Sequence, residues 1–167
     1  FVVAGISNSD NSGFSVDSAG DVNGDGVDDL VIGGYLGDPN GNSGAGETYI
    51  VFGQSSGFAA TFELSAIDGS NGFTINGVNN QDRSGYSVAS AGDVNGDGID
   101  DLVIGGPLGE RGSETNAGES YIVFGSSTGF STQLDLSTLD GTTGVILRGD
   151  LAGDQSGWSV SSAGDIN

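Results

Sequence analysis

The sequence contains no cysteine, no methionine and no histidine, and only 3 of its 167 residues are basic. Without cysteine, the chain can form neither a disulfide framework nor a thiolate metal site. With so few lysine and arginine residues, it lacks the clustered positive charge that binds nucleic acid phosphates or an anionic membrane surface. No apolar run approaches the roughly 20 residues of a membrane-spanning helix. We therefore expect no nucleic-acid partner and no membrane insertion.

Glycine and acidic residues are abundant instead. The chain has 33 glycines against 2 prolines, and its 23 acidic residues give a formal net charge of −20. So much glycine without a collagen triplet period indicates many tight turns. A hydrophobic content of 35% still allows a thin, layered β core. Such an acidic chain is expected to bind cations.

A repeat of 72 residues runs through the chain without gaps. SGFSVDSAGDVNGDGVDDLVIGG at 12–34 recurs as SGYSVASAGDVNGDGIDDLVIGG at 84–106, and SGWSVSSAGDIN begins a third copy at 156. AGETYIVFG at 45–53 likewise recurs as AGESYIVFG at 117–125. The pattern predicts one structural unit copied in tandem.

The short apolar runs LVIGG and YIVFG, each ending in glycine, predict strands that are buried on both faces. No segment keeps a 3.6-residue period over three turns, so long helices are not expected. The predicted strands lie near residues 13–19, 29–33, 47–53, 73–78, 85–91, 101–105, 119–125 and 145–148, with partial strands at 1–6 and 157–163. Segments 61–67 and 133–139 are expected to add an edge strand or a single helical turn.

About four strands per copy is the number found in one blade of a β-propeller. We therefore predict an all-β fold of antiparallel blades that forms an incomplete propeller. Its parts are the outer strand of a preceding blade at 1–11, one blade at 12–83, a second at 84–155, and the start of a third repeat at 156–167. A parallel β-helix is the alternative, but its repeat is normally far shorter than 72 residues.

The sequence DVNGDGVDD at 21–29 returns as DVNGDGIDD at 93–101. Ca²⁺ takes six to eight oxygen ligands, and alternate side chains of a tight loop can face one ion around a glycine at the sixth position. The ligands would be the side chains at positions 1, 3, 5 and 9 and the carbonyl at position 7. They are Asp21, Asn23, Asp25, Val27 and Asp29 in the first loop, and Asp93, Asn95, Asp97, Ile99 and Asp101 in the second. Asp28 and Asp100, at position 8, should point away from the ion, where they either face solvent or support the ligands from outside the site.

Three other interpretations of this loop were weighed. An EF-hand needs glutamate at position 12, where Ile32 and Ile104 stand, and it needs flanking helices. A dockerin-like loop needs aspartate there and a following helix. A solvated turn that binds nothing would leave crowded carboxylates to repel one another. The sequence favours a calcium loop between two strands.

Together with its SAGD and LVIGG flanks and with AGETYIVFG, the repeated loop resembles the FG-GAP repeats of the integrin α-subunit propeller. It is most similar to bacterial versions, in which near-identical copies are strung together in large secreted or surface proteins. The resemblance implies that each loop joins two strands of a blade and binds Ca²⁺ through the ten residues named above. A partial third site, Asp165 and Asn167, lacks its fifth and ninth positions.

Propellers of this family close with about seven blades. Two full repeats therefore imply that the neighbouring blades come from the same longer chain or from self-association. The resemblance implies an extracellular or cell-surface module with a structural or adhesive role, and any secretion signal would lie outside this segment. A non-catalytic accessory propeller of a larger secreted enzyme is the alternative. The partner would be a protein or a carbohydrate, read by the loops that differ between copies at 35–44, 54–60, 107–116 and 126–131.

The chain is not expected to be an enzyme. Its other acidic residues recur with the repeat, whereas an active site is normally a single constellation, and histidine and cysteine are absent. Structural hydrogen bonds are the predicted role of these residues, which are Asp10, Asp82, Asp154, Glu47 and Glu119.

Two further features suggest a function but have simpler explanations. Arg148-Gly149-Asp150 spells the tripeptide that integrins recognise in their ligands, yet chance variation at a turn explains it. Phe14, Tyr86 and Trp158 share one phase of the repeat and could stack on a sugar. Packing between blades is the favoured interpretation, because every copy has an aromatic residue there.

Overall fold

The computed structural model describes residues 1–163, and within them it forms strands and three single 3-10 turns but no α-helix. The strands are β1 (Val2–Ala4), β2 (Ser15–Gly20), β3 (Asp29–Gly34), β4 (Glu47–Val51), β5 (Thr61–Glu63), β6 (Gly72–Asn76), β7 (Ser87–Gly92), β8 (Asp101–Gly106), β9 (Glu119–Val123), β10 (Gln133–Asp135) and β11 (Gly144–Arg148). The 3-10 turns are Pro39–Gly41, Leu64–Ala66 and Leu136–Thr138. Residues 1–163 contain no helix of sufficient length and apolar character to span a membrane. The expected all-β class is confirmed.

Each full repeat contributes four antiparallel strands to one sheet. The first blade has the order β2-β3-β4-β6, and the second has the order β7-β8-β9-β11. The register is copied as well, since Val31 lies opposite Ile50 and Val103 lies opposite Ile122. Both first strands carry an irregularity just before the acidic loop. The repeat therefore produces two blades that place their acidic loops at the same position.

The segments 61–67 and 133–139 contain both of the elements expected for them. β5 and β10 are three-residue strands, and each runs directly into a 3-10 turn. β10 pairs in parallel with β6 of the first blade, and β5 pairs in parallel with β1. Each repeat thus adds an edge strand to the sheet before its own, which joins consecutive blades.

The partial strand predicted at 157–163 is wrong, because the structure has no strand there. β2 and β7 are held as strands by the strand that follows their acidic loop. In the sheets of residues 1–163, no strand that follows an acidic loop forms a ladder with 157–163. The strand predicted at 1–6 is shorter than expected and covers Val2–Ala4.

Hydrophobic clusters cover both faces of the first blade. The unbroken apolar runs in the sequence predict this arrangement. Val31 and Ile50 face a cluster between the two blades, whereas Ile32 and Tyr49 face a second cluster toward β1 and β5. The blades meet along β2 and β7.

The first glycine after LVI is required at this contact between blades. A Cβ on Gly33 would lie 2.0 Å from the Gly85 carbonyl oxygen, and that carbonyl accepts a hydrogen bond of 2.8 Å from Ser15 Oγ. Gly105 meets the carbonyl of Gly157 in the same way, again at 2.0 Å. Any side chain at these positions would separate consecutive repeats.

Candidate metal centre

The first loop (residues 21–29) connects β2 to β3 and is closed by its own polar side chains. The Asp25 amide donates to Asp21 Oδ1 at 2.9 Å and to Asn23 Oδ1 at 2.8 Å. The Gly26 amide donates to Asp21 Oδ2 at 2.8 Å. Because two of these oxygens lie within 2.9 Å of one nitrogen atom, the side chains at positions 1 and 3 face the same interior.

Position 5 closes the other side of the first loop. Asp25 Oδ1 accepts from the Val27 amide at 2.9 Å, and Asp25 Oδ2 accepts from Asn23 Nδ2 at 3.1 Å. The first of these contacts fixes the amide of Val27, the residue whose carbonyl is the predicted ligand at position 7. Four of the five predicted ligand residues are thus tied together within a single turn.

The second loop (residues 93–101), between β7 and β8, has the same arrangement. The Asp97 amide donates to Asp93 Oδ1 at 3.0 Å and to Asn95 Oδ1 at 2.9 Å. The Gly98 amide donates to Asp93 Oδ2 and the Ile99 amide to Asp97 Oδ1, both at 2.9 Å. Two copies of the loop sequence therefore specify the same local geometry in two different blades.

The aspartate at position 9 attaches each loop to its sheet. Asp29 is 4% exposed; its Oδ2 accepts from the Val22 amide at 3.1 Å and its Oδ1 from the Gly53 amide at 2.8 Å. Asp101 makes the equivalent bonds to Val94, at 2.9 Å, and Gly125, at 2.8 Å. This carboxylate joins the start of the loop, the strand that follows it and the glycine at the end of YIVFG.

Burial dominates the electrostatics of position 9. It raises the pKa of Asp29 from 3.8 to about 6, against the two backbone hydrogen bonds that lower it, and the nearby Asp25 and Asp21 raise it further. Burial also raises the pKa of Asp101. A buried carboxylate beside other carboxylates favours a bound cation, because opposite charge offsets its lost hydration.

Within residues 1–163, no three acidic side chains stand together as a ready-made cation cage. The carboxylates of the two loops are oriented toward backbone amides instead. The donor set nevertheless fits a calcium ion, because it consists of oxygen atoms only and the side chains at positions 1 and 3 share one interior. Each carboxylate oxygen that accepts one hydrogen bond keeps a second lone pair for a cation. The partial third site, Asp165 and Asn167, lies outside the described residues.

Four of the five other recurring acids make structural hydrogen bonds through their side chains, as expected. Asp82 Oδ2 accepts from the Asn79 amide at 3.0 Å, and Asp154 Oδ2 accepts from the Leu151 amide at 2.8 Å. Glu47 and Glu119 each accept from the hydroxyl of the tyrosine two residues later on the same strand. These acids stabilise turns and strand ends in each blade.

The charged residues of the tripeptide Arg148-Gly149-Asp150 form two ion pairs. Arg148 Nε contacts Glu119 Oε1 at 2.7 Å, and Asp150 Oδ1 contacts Arg111 at 2.7 Å. Both charged groups are therefore already paired within the second blade.

The aromatic residues that occupy the same position in successive repeats pack against one another. The ring centres of Phe14 and Tyr86 are 5.0 Å apart, and those of Tyr86 and Trp158 are 4.9 Å apart. Inter-blade packing, the favoured interpretation, is confirmed.

One contact of this region lies beyond the pattern of a single loop. Asp100, expected to face solvent or to support the ligands from outside the site, accepts through its Oδ2 from the Asp21 amide of the first loop at 2.9 Å. Asp28, at the same position of the first loop, is exposed. The contact of Asp100 arises from the packing of the second blade on the first, which the loop sequence alone does not predict.

Comparison with known proteins agrees with this architecture. The family described as FG-GAP repeat matches residues 12–51 and 84–123, which contain both loops. Integrin alpha-5 of Xenopus laevis is 34% identical over 121 residues, which cover 70% of this chain and 10% of that protein. The chain thus spans about a tenth of the length of this relative. The chain is built from FG-GAP repeats and belongs with the integrin α-like propeller-repeat proteins.

Proposed function

We propose that this chain is a calcium-binding FG-GAP propeller module with a structural and adhesive role outside the cell. The observation that carries the proposal is the duplicated loop, whose polar side chains at positions 1 and 3 face one interior in both blades. Its likeness to an integrin α chain supports the extracellular setting. In this proposal the module presents a surface and catalyses no reaction.

The proposed ligands are those that the loop sequence predicts. They are Asp21, Asn23, Asp25, the Val27 carbonyl and Asp29 in the first loop, and Asp93, Asn95, Asp97, the Ile99 carbonyl and Asp101 in the second. In this proposal a bound cation supplies positive charge to loops whose sequences each contain three proposed ligand carboxylates. Since positions 1 and 9 begin and end the connection between two strands, binding energy at the loop becomes folding energy for the blade.

Thermal unfolding in calcium and in EDTA tests the proposal. A site with a Kd near 10⁻⁴ M, in about 1 mM Ca²⁺, gains about 1.4 kcal/mol, so two sites give about 3 kcal/mol. That gain raises the Tm of a domain of this size by roughly 6–12 °C. The Asp25→Ala/Asp97→Ala double variant should lose most of this rise. An equal Tm in calcium and EDTA for the unmodified chain would contradict the proposal.

A cleft between the blades is our candidate for the surface that meets a partner. Its volume is about 540 Å³, and it lies between the loops 35–44 and 107–116, which differ from one copy to the other. Residues lining it include Asn42, Asn80 and Glu110. Amides and a carboxylate suit the hydroxyl groups of a glycan or the polar groups of a protein. Adhesion of chain-coated beads to immobilised glycans and proteins, measured with calcium and with EDTA, tests this role.

A further inference from the structure

The two acidic loops are in direct contact through Asp100. Its Oδ2 accepts from the Asp21 amide at 2.9 Å, and its own amide donates to the Asp21 carbonyl at 3.3 Å. Asp100 thus holds both backbone polar groups of the first proposed ligand of the first loop. In its own loop it stands between Ile99 and Asp101, which are two proposed ligands of the second loop.

A second connection runs through the sheet. Asp101 Oδ1 accepts from the Gly125 amide at 2.8 Å, and the next residue, Ser126, donates its amide to the Val22 carbonyl at 2.9 Å. The Val22 amide in turn donates to Asp29 Oδ2 at 3.1 Å. A chain of hydrogen bonds therefore links the position 9 carboxylates of the two loops.

The contact buries part of the first loop. Val22 is fully buried. A Cβ on Gly20 would lie 2.2 Å from Asp100 Oδ2. Glycine at position 20 thus provides the space into which the Asp100 carboxylate fits. The first loop is covered by the second blade.

We propose that calcium binding at one loop favours binding at the other, and that Asp100 is the positioning residue that couples them. This inference rests on the proposed function, since it concerns the same two sites. Ordering the segment 99–101 around an ion fixes Asp100, which then holds Asp21 in place before the first loop binds. The second ion meets a loop that has already lost part of its conformational freedom, and this gives positive cooperativity.

The carboxylate charge of Asp100 acts in the same direction. It lies at the junction of the two loops, where it is attracted to a cation in either one and reduces the repulsion between two cations. By linkage the effect is reciprocal, so each ion raises the affinity for the other by the same factor. We expect about a five-fold change in Kd, at the lower end of allosteric couplings.

A calcium titration of the 167-residue chain, followed by two-dimensional NMR, tests the coupling. The amides of Gly26 and Gly98 report on the first and second loops separately, because each donates to the position 1 carboxylate of its own loop. In Asp97→Ala, which disables the second loop, the Kd read from Gly26 should rise about five-fold. In Asp25→Ala, the Kd read from Gly98 should rise by the same factor.

Asp100→Ala and Asp28→Ala are a matched pair, since each removes one carboxylate at position 8 and only the first breaks the contact between loops. The five-fold effect of Asp97→Ala should vanish in the Asp100→Ala background and persist in the Asp28→Ala background. Asp100→Asn keeps an oxygen acceptor for the Asp21 amide, so it should restore part of the coupling and guard against misfolding of the alanine variant.

The outcomes separate this inference from the proposed function. Absence of calcium-dependent shifts at both glycines would refute the proposed function and the coupling together. Binding at both loops with a Gly26 Kd that is unchanged by Asp97→Ala would refute the coupling alone. Equal effects of Asp100→Ala and Asp28→Ala on the coupling would refute the positioning role of Asp100.

Discussion

At the scale of single residues, the position 9 aspartates combine two tasks in one carboxylate. Asp29 joins the Val22 and Gly53 amides, which are separated in sequence, at the base of the loop. It does so at the cost of burial, which raises its pKa. The same group is a proposed calcium ligand. The hydrogen bonds hold the base of the loop in position, and a cation would offset the cost of burying the charge.

Replacing Asp29 by alanine should destabilise the fold even without calcium. The change leaves the Val22 and Gly53 amides unpaired, and it costs about 2 kcal/mol or more after allowing for relief of the buried charge. Urea unfolding in EDTA measures this effect separately from metal binding. Asp28→Ala, at an exposed neighbour, should stay within about 0.5 kcal/mol of the unmodified chain. Equal losses in the two variants would contradict the structural role of Asp29.

Protonation of Asp82 should make the metal-free fold more stable at pH 5 than at pH 7. The pKa of Asp82 is raised from 3.8 to about 6, mainly by burial and in smaller part by the charges of Glu119 and Glu110, against the hydrogen bonds from Asn79 that lower it. Between pH 3.8 and about pH 6, the Asp82 carboxyl is therefore protonated in the folded state but ionised in the unfolded state. The free energy of unfolding consequently falls as the pH rises through this range. From pH 7 to pH 5, this group should add about 1 kcal/mol to the free energy of unfolding.

Urea unfolding in EDTA at the two pH values measures this gain. Asp29, Asp101 and Glu47 have raised pKa values too and contribute with the same sign, so the test compares variants. Asp82→Asn should reduce the gain by about 1 kcal/mol, and Asp28→Asn should leave it intact. If Asp82→Asn gains as much as the unmodified chain, the carboxyl of Asp82 does not have its pKa raised in the folded state.

Residue by residue, the sequence predicts which side chains gather in the loops but not every contact they make. Asp21, Asn23 and Asp25 are close in sequence, and a tight turn brings them together through local geometry alone. The contact of Asp29 with Gly53 spans 24 residues, and that of Asp100 with Asp21 spans 79. Such contacts depend on how strands and blades pack, which the pattern of one loop does not contain.

At the scale of elements, the sequence predicts the main strands of each blade. It predicts the short edge strands and the 3-10 turns beside them only in part. LVIGG and YIVFG predict β3, β4, β8 and β9 because an unbroken apolar run suits a strand covered on both faces. The sequence leaves segment 133–139 open between edge strand and helical turn. It contains both, since β10 is stabilised by parallel pairing with β6 of the other repeat.

The short edge element should contribute substantially to stability. Leu136, in the 3-10 turn after β10, is fully buried in the cluster between the blades. Leu136→Ala should cost about 2–5 kcal/mol by leaving a cavity there. Leu151→Ala is the control, because Leu151 is 62% exposed and its truncation should cost little. Urea unfolding compares the two, and a loss below about 1 kcal/mol for Leu136→Ala would show that β10 and its turn are peripheral to the fold.

At the scale of the whole molecule, the formal charge of −20 opposes folding, because it concentrates like charges in a smaller volume. Two bound Ca²⁺ ions, each with two positive charges, would reduce it to −16. Monovalent salt should relieve the same repulsion by screening, as the Debye length falls from about 30 Å at 0.01 M to about 3 Å at 1 M. Bound calcium and monovalent salt are therefore both expected to stabilise the fold by reducing repulsion among the acidic residues.

The metal-free chain should therefore melt at a higher temperature as sodium chloride rises from 0.01 M to 1 M in EDTA. We expect a gain of about 1 kcal/mol or more, which raises the Tm by at least about 2–4 °C. The same series in 1 mM calcium should show a smaller rise, since bound ions have already neutralised the loops where carboxylates are closest. A flat salt series in EDTA would show that repulsion among the acidic residues does not limit stability, and any stabilisation by calcium would then come from closing the loops.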